Sequence, residues 1–120
     1  IPFMKRLEPG HLDTLNFGSL NFSLGFLSRI GMDSIETRVK ELTEYAKTKF
    51  TELGLLEPYV IRRKDHGPIF SIKGNDALFQ HLTEKNVVCS QRGGGIRLSF
   101  HFYNSEKHID DVVKSLVTRT

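Results

Sequence analysis

The chain has 120 residues, a net charge of +3, 38% hydrophobic and 26% charged residues. That balance belongs to one soluble globular domain with a modest core and excludes a disordered chain. The positive excess is small and scattered, its longest run being Arg62-Arg63-Lys64, which argues against nucleic-acid or anionic-membrane partners.

A lone Cys89 allows no internal disulfide and no cysteine metal site, which fits a reduced, cytoplasmic setting. No apolar run approaches the roughly 18 residues of a membrane-spanning helix. The five histidines show no helical His-x-x-x-His spacing, so no metal site is expected. The sequence starts at Ile1 rather than Met, without a signal-peptide pattern. It reads as a piece cut from a longer protein.

In chain order, residues 1–10 hold Pro2 and Pro9 and read as an extended lead-in. From Leu15 to Ile30 the spacing is mostly helical, with Leu15, Phe17, Leu20, Phe22, Leu24, Phe26, Leu27 and Ile30 apolar nearly all round. A helix covered on more than one side has this pattern. Gly18 and Gly25 each cost about 1 kcal/mol relative to Ala in a helix interior, which close packing against a neighbour would offset. A domain this small offers too few neighbours, so residues 1–31 are expected to pack on protein outside this chain. Asp33-Ser34-Ile35-Glu36 signals a helix start with Asp33 as cap. Ile35, Val39, Leu42, Ala46, Phe50 and Leu53 then form one stripe, and Gly54 ends the helix.

Tyr59–Arg62 after Pro58 reads as a strand, Asp65-His66-Gly67-Pro68 as a turn and Ile69–Ile72 as a second strand. Asp76–Glu84 is a short helix carrying Ala77, Leu78 and Leu82. Val87–Ser90 reads as a third strand and Gln91–Gly95 as a loop. In Ile96–Tyr103, apolar Ile96, Leu98, Phe100 and Phe102 alternate with Arg97, Ser99, His101 and Tyr103, the period of a half-buried strand. Asn104-Ser105 ends it, with Ser105 placed to cap a last helix whose stripe is Ile109, Val112, Val113, Leu116 and Val117. The order predicts an α+β fold: a small, mostly antiparallel sheet of three to four strands covered by helices.

The polar face of the fourth strand carries Arg97 and His101. A guanidinium held on a rigid strand beside a glycine turn suits a carboxylate or phosphate. Arg92 adds positive potential in the loop. Solvated side chains, or a histidine bonded to nearby backbone, are the structural alternatives.

Arg97, Ser99, Tyr103, Asn104 and Ser105, followed by Glu106, Ile109 and Asp110, resemble the C-terminal signature of class V aminotransferase-like pyridoxal-phosphate enzymes. That family includes cysteine desulfurases, selenocysteine lyases and isopenicillin N epimerases. Glu8-Pro9-Gly10-His11 falls where the family has Glu-x-Gly-Thr, and Gly67-Pro68-Ile69-Phe70-Ser71 matches one of its strands. The resemblance implies the small C-terminal domain of a fold-type I enzyme, homodimeric, acting on an amino-acid substrate. It implies that Arg97 binds the substrate carboxylate, with His101 nearby. Gly10, His11 or Thr14 would close the pocket of pyridoxal 5′-phosphate across the dimer. His11 stands where desulfurases have Thr. The Schiff-base lysine and most cofactor ligands lie in the family's large domain, so the resemblance implies no catalytic residue here and no turnover by this chain alone. Cys89 falls too close to Arg97 for the desulfurase nucleophile loop and reads as an inert, buried thiol. The second reading is a stand-alone α+β interaction module, for RNA for instance, without enzymatic activity.

Overall fold

A computed structural model describes residues 13–118, together with Phe3 and Gly10. The order is α1 (Thr14–Ile30), α2 (Met32–Glu52), α3 (Pro58–Arg62), β1 (Ile69–Lys73), α4 (Asp76–Glu84), β2 (Ser90–Arg92), β3 (Gly95–Ser99) and α5 (Glu106–Val117). The chain divides into two compact units, Ile1–Ser34 and Ile35–Thr120, the division falling in the first turn of α2.

In the first unit, Asp13 caps α1, and Gly31 closes it at φ 91° with its N–H donating to the Leu27 carbonyl. No residue of α1 is buried. Seven of its large apolar side chains are exposed, Leu15 and Phe22 by more than 70%.

The second unit is α+β, a three-stranded antiparallel sheet in the order β1-β3-β2 with helices packed on it. Phe70 and Ile72 of β1 stand opposite Leu98 and Ile96 of β3, and all four are buried. Against them pack Leu42, Ala46 and Phe50 of α2, Leu78 and Leu82 of α4, and Ile109, Val112 and Leu116 of α5. Phe50 meets Phe70 edge-on at 5.4 Å, a favoured aromatic geometry. The stripes read from the sequence therefore face one core.

The helix ends are held by local chemistry. Gly54, at φ 66°, lets α2 finish in a Schellman motif: Leu55 N–H donates to Phe50 O and Gly54 N–H to Thr51 O. Asn86, at φ 60°, does the same for α4 through Val87 N–H to Leu82 O and Asn86 N–H to Thr83 O. Ser105 stands at the N-cap of α5, and its backbone N–H donates to His108 Nδ1 at 3.1 Å. A histidine thus fills the place a Glu or Gln takes in the usual capping box.

Four sequence expectations are corrected. Tyr59–Arg62 is helical, because Pro58 occupies the first helical position, where its missing N–H costs nothing. The strand expected at Val87–Ser90 begins only at Ser90, and Val88 is 98% exposed. The strand expected to reach Tyr103 stops at Ser99. There the Asn104 side chain accepts the His101 N–H at 2.8 Å and turns the backbone. Asp33 lies inside the first turn of α2 rather than ahead of it.

Candidate functional site

The site grows from a hairpin. Gly93 and Gly94, at φ 57° and 77°, are the two central residues between β2 and β3, the backbone of a type I′ turn. The turn sets Arg92 opposite Gly95, Gln91 opposite Ile96 and Ser90 opposite Arg97. On the other side Ser71 pairs with Arg97 and Lys73 with Gly95. Side chains alternate between faces along each strand. Beside the Ile69–Ser99 pair, the face away from the core therefore carries two rows, Ser71–Arg97–Ser90 and Lys73–Gly95–Arg92.

Arg97 is exposed at the centre of this face. Among the described residues its guanidinium has no hydrogen-bond or ion-pair partner, and the same holds for Arg92. Lys73 differs: its Nζ lies 3.7 Å from Glu57 Oε1, both side chains half-exposed. Gly95 is required by a close approach, since a Cβ there would sit 2.7 Å from the Ile72 carbonyl oxygen and 3.0 Å from Ser71 Oγ. The face is thus a rigid, hydroxyl-bearing platform with two uncommitted guanidinium groups. Such groups present paired N–H donors to a carboxylate or phosphate.

His101 does not share the strand with Arg97. It lies past the end of β3, exposed, its ring stacked on Tyr103 at 5.1 Å and edge-on to Phe102 at 4.8 Å. Behind that corner, Arg38 of α2 grips Glu106 through two bonds of 2.7 and 2.8 Å and also donates to Asn104 O at 3.4 Å. Arg38 holds the Glu106 carboxyl down at about 2 by hydrogen bonding, with help from backbone donation. Cys89 is half-buried, and burial pushes its thiol up, as suits an unreactive cysteine.

Gly10 and Thr14 belong to the first unit, and His11 lies outside the described residues. Gly10 is exposed in a bend at φ 140°, with open space around it. Thr14 opens α1, but Asp13 already occupies that helix end, accepting Asn16 N–H at 3.1 Å and Asn16 Nδ2 at 2.5 Å. A carboxylate therefore stands where the phosphate of pyridoxal phosphate would need positive potential. By itself this helix end does not suit that group. Among the described residues, no group of three His, Cys, Asp or Glu side chains can hold a metal ion. Among the described residues, no helix is long and apolar enough to cross a membrane.

An open cleft of about 530 Å³ runs beside α5, between Leu98, Phe100 and Val87 on one side and His108 and Asp111 on the other. Two of its polar groups are already engaged, His108 in the α5 cap and Asp111 with Lys107 and Lys114. Its cation is Lys85, which lacks the paired N–H donors of a guanidinium.

The sequence pointed to Arg97, but it missed that Arg92, Ser71 and Ser90 share its face. Counting outward from Gly93-Gly94 as a two-residue turn was the available signal. Arg38 had none, because its partner lies 68 positions away. No family model, curated protein or solved structure matches the chain.

Proposed function

We propose that this chain is the substrate-carboxylate-binding small domain of a pyridoxal-phosphate-dependent enzyme of the class V aminotransferase type, acting on an amino acid. One observation carries the reading. An exposed arginine without an acidic partner stands mid-strand on a rigid sheet, inside the Arg97-x-Ser99-x-x-x-Tyr103-Asn104 pattern. Held at the centre of three strands, Arg97 presents two N–H groups to a carboxylate with little orientation left to lose. The Ser71 and Ser90 hydroxyls flank it and can donate to the same anion.

The cofactor, when bound, supplies the electron sink for chemistry at the amino acid's α-carbon. It has to be held by protein other than the described residues. This chain's own part is to bind and orient. The setting is cytoplasmic and the working enzyme a homodimer, in this reading.

In the intact enzyme, R97A keeps the cofactor's absorbance while kcat/KM falls about 100-fold or more, since hydrogen bonds between charged groups contribute roughly 1.5–3 kcal/mol each. Wild-type kcat/KM in R97A removes Arg97 from the site.

A further inference from the structure

The same face carries a second guanidinium that the carboxylate reading leaves unused. Arg92 stands directly across from Gly95, and Arg97 lies two residues farther along β3. The two arginines are therefore diagonal neighbours on one face of adjacent strands, about 7–8 Å apart at the backbone. Both point away from the core, both are exposed, and neither has an acidic partner among the described residues. Two like charges placed this close repel each other mildly, and nothing within the face offsets that, since Glu57 meets only Lys73.

The layout between them is also specific. The position beside Arg92 in its row is Gly95, where a Cβ would meet Ile72 O at 2.7 Å and Ser71 Oγ at 3.0 Å, so no side chain stands between the arginines. The two-glycine turn holds Arg92 in register rather than leaving it on a loose loop.

We propose that this face binds a small ligand with two acidic groups: Arg97 takes one and Arg92 the other, so the substrate class is an amino acid with an acidic side chain. The inference rests on Arg97 being the α-carboxylate site. A polyanion such as single-stranded RNA offers similarly spaced charges, but its recognition on a sheet uses exposed aromatic platforms. The two rows hold none. Ser71 and Ser90 flank Arg97, and Lys73 and Gly95 lie beside Arg92. Tyr103 and His101 stack on each other at the corner beyond β3.

The test compares L-glutamate with L-glutamine, which differ only in the second acid group, by NMR titration of the isotope-labelled 120-residue chain. Glutamate is expected to bind about tenfold more tightly, the Arg92 and Arg97 amides moving together, because the extra pair is charge-assisted. R92Q brings the glutamate-to-glutamine ratio to about one. R92K keeps part of the preference, and R97Q weakens both ligands. A ratio of one in the wild-type chain, or an R92Q ratio equal to wild type, overturns the two-anion inference, while a weakened R97Q leaves the Arg97 reading standing. If R97Q binds both amino acids as the wild type does, or neither moves the wild-type spectrum, both readings fall. Displacement of glutamate by an oligoribonucleotide with a steep salt dependence also overturns the proposal in favour of a polyanion.

Discussion

Arg38 and Glu106 show how much one residue pair organises. The pair joins α2 to the start of α5, and the additional bond to Asn104 O fixes the corner through which β3 leaves the sheet. Its consequence is a pH dependence with a definite sign. Folding lowers the Glu106 carboxyl from its ordinary 4.5 to about 2, so the folded state favours the ionised form. The stability this adds is complete above about 4.5 and is lost as pH falls through about 2. Asp111 and Glu36 are lowered too, chiefly by hydrogen bonds from Lys107 and Lys40, and share the acid side of the profile. The E106Q variant should therefore lose less melting temperature than the wild type between pH 4.5 and 2, a difference read by thermal unfolding at each pH. Parallel profiles would mean that the pair does not couple to folding.

At the scale of elements, the β2–β3 hairpin sets what the open face displays. Both turn residues have positive φ, which a β-branched side chain resists. G94V should cost about 1–2 kcal/mol, the left-handed penalty for a non-glycine residue. G93N should be close to neutral, because Asn-Gly is a preferred pair for this turn. Urea midpoints of the two variants separate these outcomes.

This hairpin also marks the boundary of what the sequence alone makes legible. The stripes of α2, α4 and α5 and the alternation of Ile96 and Leu98 can be read directly, because burial on one face leaves a period in the residues. Tyr59–Arg62 misleads because Tyr, Val and Ile favour strands, while the deciding feature is a single proline at a helix start. Phe100–Tyr103 continues the alternation, yet a side-chain bond from Asn104 ends the strand. Val87–Cys89 has β-forming residues but no neighbour to pair with. For the site, Arg97 is visible from its local pattern. Its companions on the face depend on register, a relation between strands that no single stretch contains.

For the molecule as a whole, the two units differ in where their apolar surface goes. The buried cluster of the second unit runs from Leu42 to Leu116, and in the first unit no residue of α1 is buried. Replacing Phe17, Phe22 and Phe26 together by Lys should leave the urea stability of the sheet unit within about 0.5 kcal/mol, as for exposed sites. Phe50→Ala, which opens the centre of the core, should cost about 3–5 kcal/mol. The triple variant should also sediment closer to a monomer, because exposed apolar patches drive association. A loss of sheet-unit stability comparable to Phe50→Ala would show that α1 shares the core.

The type I′ turn bears on how the sheet is assembled in time. β2 and β3 are joined by two residues and can zip within microseconds, whereas Ile69 must find Ser99 across the whole of α4 and the hairpin. Closing that longer loop is the entropically slow event. By loop length alone, the arginine strand is expected to pair with β2 before β1 docks and seals the core, an order that folding kinetics of a β1 variant would check.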